Sequence, residues 1–381
     1  MTEKLYYQDA YIKEFSAKVI SCEKCEGGYD TVLDKTAFFP EEGGQYADSG
    51  KIAGINVLDV KERDGVVHHY LKSAVDVGTD VFCTIDFDER YEKMQCHTGE
   101  HILSGIIHKL YGFDNVGFHL GKEDVTMDVS APLTREQLDE IERLANEVIY
   151  TNTEVETLFP CAEELSSMEY RSKLDLTENV RIVKIGEYDS CACCAPHVKR
   201  TGEIGLIKIL DFAKLRGGVR IFITAGRRAM RTFAEYFSNA QAVSARLSVK
   251  KSEIAIGVDK LHSDFEDLKR IYAEYRIKII KSEAEKTESA DKNKIIYFDD
   301  ATVPEMIEFA NVATSKVGGM LILLSGVDGD YKYVISSNNI NLREISADIN
   351  KSLLGRGGGR PNMIQGSLSA SRADVEKYFN P

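Results

Sequence analysis

Along the first ninety residues, apolar positions alternate with polar ones in short runs. AKVISCE (17–23), YDTVLDKTAFF (29–39), INVLDVKE (55–62), VVHHYL (66–71) and DVFCTIDF (80–87) follow one another across Gly and Asp turns. Period-two runs punctuated in this way are strands, so residues 1–90 are expected to form a small β-barrel or sandwich. At Arg90 the period changes. Ile102, Leu103, Ile106, Ile107 and Leu110 recur at helical spacing until Gly112, which stops a helix well. A second helix is expected over LTREQLDEIERLANEVIYTN (133–152), where Thr134 and Gln137 have the spacing of a capping box. Strands return in NVRIVKIGEY, GEIGLIKILDF and GVRIFITAG, which makes residues 91–228 an α+β domain.

From 229 to 285 the pattern is purely helical. Phe233, Phe237, Ala240, Ser244 and Leu247, then Leu261, Phe265, Leu268, Tyr272, Tyr275 and Ile279, repeat at spacings of about three and four. Two helices with an apolar seam are predicted, a hairpin that packs on itself or on a second copy of the chain. The charged stretch KSEAEKTESADKNK leads into IIYFDD, a helix around VPEMIEFANVAT, the strands MLILLSG and YKYVISS, a further helix and GRGGGRPNMIQG. Residues 286–381 read as a small α/β unit. The fold class expected for the whole is α+β.

Composition narrows the classes of function. A chain of 381 residues with 43% hydrophobic and 29% charged content has a globular core and spans two or three domains. Its strongest apolar run, Met320 to Leu324, is far below the roughly 20 residues of a membrane span. The first residues, MTEKLYYQDAYIKEF, lack the apolar stretch of an export signal. Eight cysteines, clustered as Cys22 and Cys25 and as Cys191, Cys193 and Cys194, suit thiol or metal chemistry in a reducing compartment better than a disulfide framework. A cytoplasmic protein with no membrane partner is expected. The net charge of −13 argues against a polyanion partner, but the sum hides two basic stretches. Residues 198–231 hold nine basic side chains, among them Lys199, Arg200, Lys214, Arg216 and Arg220, against Glu203 and Asp211. Residues 351–373 hold Lys351, Arg356, Arg360 and Arg372 with no acid, around glycines at 355 and 357–359 whose N–H groups can approach a phosphate. No GK[ST] follows, so a nucleotide-binding P-loop is disfavoured.

One constellation carries chemistry. His97 and His101 are four apart, so both imidazoles leave one helical face a turn apart and can share a metal. Ser190 to His197 reads SCACCAPH, and thiolates with imidazoles favour Zn²⁺. Cys193, four residues before His197, is the preferred ligand, with Cys191 or Cys194 as alternates. His108 continues the helical face as a surface residue or a support to the ligands. Cys22 and Cys25 form a CxxC without the βαβ context of a redox motif.

HTGEH (97–101) and CCAPHVKRTGEIG (193–205) resemble the His-x-x-x-His and Cys-x-x-x-His metal motifs of the alanyl-tRNA synthetase editing domain and its freestanding AlaX-type relatives. LDKTAFFPEEGGQYADSG (33–50) is similar to that family's glycine-rich segment, RGGVRIFITAGRRAM (216–230) to the strand and turn that close its editing domain, and GRGGGRPNMIQG (355–366) to the C-terminal DHHA1-type domain. Two departures stand out. The family's Cys-Gly-Gly-Thr-His is Cys193-Cys194-Ala195-Pro196-His197, and Glu42 stands where a small residue is common. There is also no Asp-His-His motif, only His68-His69, so the DHHA1 likeness brings no phosphoesterase activity.

The resemblance implies a trans-editing hydrolase that removes serine or glycine from mischarged tRNA(Ala), with Zn²⁺ on His97, His101, Cys193 and His197. Thr36 and Gln45 fall at family positions near the pocket, and a Thr36 hydroxyl could recognise the serine hydroxyl. Lys199, Arg200, Lys214, Arg216, Arg220, Arg356 and Arg360 are the expected tRNA contacts, and the helical hairpin or the C-terminal domain is the expected homodimer surface. The chain is expected to edit and not to charge, because it starts at the editing barrel. The competing readings are a zinc-stapled tRNA-binding module without turnover, and a hydrolase for another aminoacyl-tRNA.

Overall fold

In the computed structural model, which describes residues 1–122, 124–172 and 180–380, the alternating N-terminal runs close into a six-stranded barrel. Its strands are β1 (Glu14–Cys25), β2 (Gly28–Leu33), β3 (Gly50–Ile52), β4 (Ile55–Arg63), β5 (Val66–Leu71) and β6 (Asp80–Ile85), in the order β1-β2-β5-β4-β3-β6 and back to β1. Closure leaves no free strand edge, and the inward positions Val19, Leu33, Ile52, Val60, Val67, Leu71 and Cys83 fill the interior.

Helix α1 (Phe87–Tyr111) follows directly, capped by Asp86, whose side chain accepts from Glu89 N, and ended by Gly112 at φ 68°. Its middle, from Lys93 to Ile107, is buried on every side. The periodicity anticipates only an apolar stripe. Burial all round means that the polar residues among them must find partners, and it is this constraint that shapes the site.

The strands β7 (Asn115–Leu120) and β8 (Val125–Val129), which the apolar pattern does not signal, pair with β12 (Ile207–Leu215) and β13 (Gly218–Ala225) in the order β12-β13-β8-β7. Helix α2 (Arg135–Tyr150) opens with the expected capping box of Thr134 and Gln137. Its Leu138, Ile141 and Val148 join Ile102, Ile106, Met127, Ile221 and Ile223 in one core. A three-stranded sheet, β9 (Val155–Leu158), β10 (Ile182–Ile185) and β11 (Asp189–Ala192), carries the cysteine cluster. The expected strand NVRIVKIGEY is thus shorter than its segment, and Asn179 lies outside the described residues.

The chain divides into two compact units, Met1–Gln241 and Ala242–Pro381. Helix α3 (Gly226–Leu247) spans the division. The second unit contains α4 (Ile254–Glu285), β14 (Lys294–Phe298), α5 (Val303–Ala313), β15 (Leu321–Val327), β16 (Asp330–Ser336), α6 (Leu342–Ser352), β17 (Arg356–Arg360), β18 (Met363–Leu368) and α7 (Arg372–Phe379). Its sheet runs β14-β15-β16-β18-β17. Ile322, Leu324 and Tyr333 face α6 and α7, whereas Leu321, Leu323 and Val334 face α5 and the end of α4, the period of two that a sheet covered on both sides requires.

The glycine-rich stretch expected to approach a phosphate forms a β-hairpin, in which Arg356–Arg360 pairs with Met363–Ser367, and a Cβ at Gly357 would come within 2.3 Å of the Tyr333 hydroxyl. The apolar seam is not buried: Phe233, Phe237, Leu261, Phe265, Leu268, Tyr272, Tyr275 and Ile279 are all exposed, and the residues of α4 that are buried are Gly257, Ile280 and Ala284.

The barrel is joined to α1 by a buried charge cluster. Asp48 accepts from Arg90 Nε at 2.9 Å and from Phe39 N at 2.6 Å, while Arg90 Nη2 donates to Ala37 O at 2.6 Å. Lys93 Nζ donates to Ala47 O at 2.6 Å and pairs with Glu89 at 3.1 Å, and neither Arg90 nor Lys93 reaches solvent. Removing one partner strands a buried charge. Asp48→Ala should therefore cost about 3–5 kcal/mol in urea unfolding, and adding Arg90→Met should return part of the loss.

Candidate metal centre

The 37–48 segment turns back on itself so that one side chain reaches α1. Glu42 and Gln45 bond each other through both backbone groups, at 3.1 and 3.0 Å, with Gly43 at φ 62° and Gly44 at φ 81° between them. Two successive positive φ angles make a type I′ turn, which glycine adopts without strain. Leu120 N donates to Gly44 O at 2.7 Å, seating the turn on β7, and Gln45 is fully buried.

On α1, His97 and His101 stand with ring centroids 5.4 Å apart. His197, from the loop after β11, brings its ring to 4.8 Å from His97 and 4.6 Å from His101. Cys193 Sγ lies 3.6 Å from His97 Nε2 and 3.3 Å from His197 Nε2. One donor atom from each of the four residues falls within 4.8 Å of the others. A tetrahedral Zn²⁺ with Zn–S of about 2.3 Å and Zn–N of about 2.0–2.1 Å has S···N edges of about 3.5 Å. The two measured edges bracket that value.

The other nitrogen of each ring is engaged. His97 Nδ1 meets Gln45 Oε1 at 3.1 Å, His101 Nδ1 meets Asp189 Oδ2 at 2.9 Å and His197 Nδ1 meets Thr98 Oγ1 at 3.0 Å. The amide oxygen and the carboxylate can only accept. Thr98 spends its proton on Met94 O at 2.7 Å, so it too accepts. All three imidazoles are thereby fixed with Nδ1 protonated and Nε2 free, the tautomer that binds metal through Nε2.

The electrostatics favour a Cys193 thiolate. Burial would raise the Cys193 thiol, but His97 and His197 beside it hold it well below its ordinary value. Burial pushes His197 down to about 3 against the pull of Cys193. Burial would also lower His101, yet Asp189 and Cys193 raise it well above its ordinary value.

The alternates separate on the same geometry. Cys191 groups with His101 and Asp189, and Cys194 turns to the glycine-rich turn, where a Cβ on Gly43 would meet its sulfur at 3.4 Å. Arg181 fixes the ligand loop, donating from Nη1 to Cys193 O at 2.7 Å and Ala195 O at 2.9 Å. His108 is at the surface with Asp114. Asp189, Thr98, Arg181 and Phe118, whose ring lies 4.7 Å from His97, escape sequence reasoning. Asp189 alone leaves a trace, as an acid beside the cysteine cluster.

Thr36 takes its partners from the barrel. His69 Nδ1 meets the Thr31 carbonyl at 3.1 Å, which makes Nε2 an acceptor, so the Thr36 hydroxyl donates to it at 2.9 Å and accepts from Phe38 N at 3.1 Å. Burial lowers His69 to about 4, so the ring is neutral. Thr36 is tied to the barrel and retains one lone pair. Most basic residues are likewise engaged. Lys199 pairs with Asp9 at 3.2 Å, Arg220 binds Asp128 through two bonds of 2.8 Å, and Arg228 and Arg231 share Glu92. Arg200 donates to Asn152 O. Lys214 and Arg216, exposed at the turn between β12 and β13, form no ion pair among the described residues.

Three family models match. Residues 180–222 match "Threonyl and Alanyl tRNA synthetase second additional domain", residues 2–89 "tRNA synthetases class II (A)" and residues 291–377 "DHHA1 domain". The alanyl-tRNA editing protein AlaX-L of Pyrococcus horikoshii is 30% identical over 98% of this chain and 96% of its own length. The chain belongs to the alanyl-tRNA editing protein family. The family member Aarsd1-A of Xenopus laevis is 27% identical over 97% of this chain and 95% of its own. The alanine–tRNA ligase of Ignicoccus hospitalis is 31% identical over 85% of this chain, which spans 37% of that ligase. Among solved structures, the C-Ala domain of Aquifex aeolicus alanyl-tRNA synthetase covers 25% of this chain at 19% identity, with a TM-score of 0.21. Among the described residues, no helix of this family member is long and apolar enough to cross a membrane.

Cys193→Ala should abolish stoichiometric zinc binding. Asp189→Asn, which keeps the ligands but weakens the hold on His101, should lower zinc affinity roughly 10- to 100-fold in chelator competition.

Proposed function

We propose that the chain hydrolyses the ester joining a wrong amino acid, serine or glycine, to tRNA(Ala), with Zn²⁺ held by His97, His101, Cys193 and His197. The observation that carries this reading is the pair of S···N edges, 3.6 and 3.3 Å, with the far nitrogen of every ring already bonded. When bound, Zn²⁺ would supply a fixed positive charge that orders the four donor-bearing segments beside the ester.

The remaining work falls to side chains. Gln45 Oε1 is spent on His97, but its Nε2 is buried without a partner. An unpaired buried donor is costly, and a serine hydroxyl oxygen or the ester carbonyl can accept from it. A serine hydroxyl satisfies this amide, whereas the methyl group of alanine does not, which separates seryl from alanyl esters. Thr36, whose proton is committed to His69, can only accept, so any bond it makes takes the proton of the serine hydroxyl. Lys214 and Arg216 in the first unit, and Arg356 and Arg360 on the edge strand β17 of the second, supply phosphate contacts. The tRNA partner is taken from relatives whose names describe alanyl-tRNA editing.

The zinc-loaded protein should release serine from Ser-tRNA(Ala) and spare Ala-tRNA(Ala) by roughly 100-fold or more. A chelator should stop the reaction, and Gln45→Leu should narrow the preference. Tight tRNA binding with no release of serine would replace this reading with the zinc-stapled binding module.

The exposed stripe of α4 is the proposed surface for a second copy of the chain. Leu268 and Tyr272, each 61% exposed, belong to an apolar face longer than a monomer ordinarily leaves in water. Light scattering should find a dimer that Leu268→Glu with Tyr272→Glu converts to a monomer.

A further inference from the structure

A polar contact to Gln45 does not by itself distinguish serine from threonine, whose side chain carries the same hydroxyl and one methyl group more. Rejecting that methyl takes a wall beside the Gln45 amide. His97 gathers the side chains around this point. Gln45 Oε1 meets its Nδ1 at 3.1 Å, Cys193 Sγ lies 3.6 Å from its Nε2, and the Phe118 ring packs on the imidazole with centroids 4.7 Å apart at an angle of 45°. Gln45 is fully buried and His97 only 3% exposed, whereas Phe118 and Cys193 are half-buried. Cys193 is spent on the metal, and the phenyl ring is then an apolar surface that shares one imidazole with Gln45 and still meets solvent. The ring is also held still. Its strand β7 pairs with β8, which sets Phe118 opposite the core residue Met127, and Leu120 N, two residues on, donates to Gly44 O at 2.7 Å. Gly44 has no side chain to keep the strand away: a Cβ there would come within 2.2 Å of Phe118 O and 3.3 Å of its ring atom Cδ1. Turn, ring and ligand are packed against one another, and packing of that closeness yields little.

We propose that Phe118 is the size filter of the amino-acid site, admitting the hydroxymethyl group of serine and excluding the branched side chain of threonine and anything bulkier. This rests on the reading of the site as an aminoacyl esterase in which the serine hydroxyl meets Gln45. Two filters then act in one place, the ring by volume and the amide by polarity. Alanine passes the first and fails the second, while threonine satisfies the second and fails the first. A rigid wall penalises an extra methyl because the methyl has no room unless its neighbours move, and one such group is worth roughly 10- to 200-fold in kcat/KM. Threonyl esters, which polarity alone would admit, are thereby spared.

The experiment compares tRNA(Ala) carrying serine with the same tRNA carrying threonine, on the wild type and on Phe118→Ala. The wild type should favour the seryl ester by roughly 10- to 200-fold in kcat/KM. In Phe118→Ala the threonyl ester should gain, so that the ratio falls to about one, with zinc content at the wild-type value. Phe118→Leu, which keeps an apolar side chain on His97, should fall between the two and decides the matter if Phe118→Ala loses its metal or its fold. Phe118→Trp should shrink the site and slow the seryl ester. A seryl-to-threonyl ratio that survives both smaller side chains, or a wild type that releases both amino acids equally, overturns the proposal. Calorimetric binding of the non-hydrolysable 3′-serylamino-3′-deoxyadenosine and its threonyl counterpart gives a separate reading. If the wild type binds the seryl analogue more tightly and Phe118→Ala binds both alike, the filter stands even where no ester is turned over, an outcome that removes only the hydrolase assignment. Equal binding of the two analogues by the wild type, or binding of neither, overturns the filter itself.

Discussion

Three imidazoles and a thiolate meet in the interior because each ring is held by its far nitrogen. A buried histidine with an unpaired N–H is costly, and a ring free to turn presents the wrong nitrogen about half the time. Here Gln45, Thr98 and Asp189 each take one Nδ1 proton, and they come from three places: the barrel turn, the ligand helix and strand β11. The four-donor geometry is thus a meeting point of segments far apart in sequence. Weakening any one support loosens a ligand without touching it.

This requirement explains features of the fold that local propensity does not. Helix α1 is buried all round through its middle because its ligands must face inward on one side while Ile102 and Ile106 face the core on another. A helix so placed has to be satisfied along its polar side. Arg90 and Lys93, about two turns and one turn before His97, clamp the glycine-rich segment at Asp48, Ala37 and Ala47. The same clamp that holds barrel to helix therefore sets where Gln45 arrives. The charge pair and the metal site are one mechanical unit, since the turn that carries Gln45 is pinned at both ends.

The elements whose signals are local were legible. Period-two runs announced the barrel, Thr134 and Gln137 announced their capping box, and the four-residue spacings of His97 to His101 and Cys193 to His197 announced four donors that the fold brings within 4.8 Å of one another. What could not be read depends on long-range contact. Strands β7 and β8 carry Gly, His and Asp within them, and only pairing with β13 makes them strands. Thr36 matches a motif position, but its hydroxyl answers to His69, which lies 33 residues on. Nothing in a linear pattern tells whether a side chain's last lone pair is taken. The helical stripe was legible as apolar, yet its partner was not, because periodicity reports that a face is sticky and says nothing of what covers it.

Charge shows the same limit most sharply. A local run of nine basic residues against two acids looks like a surface for a polyanion. Folding brings Asp9, Asp88, Glu92, Asp128 and Glu142 to it from elsewhere, and they engage Lys199, Arg227, Arg228, Arg231, Arg220 and Lys208. In four of these six pairs the cation is at least half exposed, where an ion pair is worth little, so a phosphate could compete for the cation at modest cost. Such a competition would have to leave the acid behind, facing the same polyanion. The lowest-cost contacts are therefore the cations with no acid to abandon, Lys214 and Arg216 at the β12–β13 turn. A surface built from a few unpaired cations among many paired ones holds a polyanion less tightly than the bare count of nine basic residues suggests, because each paired cation must first give up its acid.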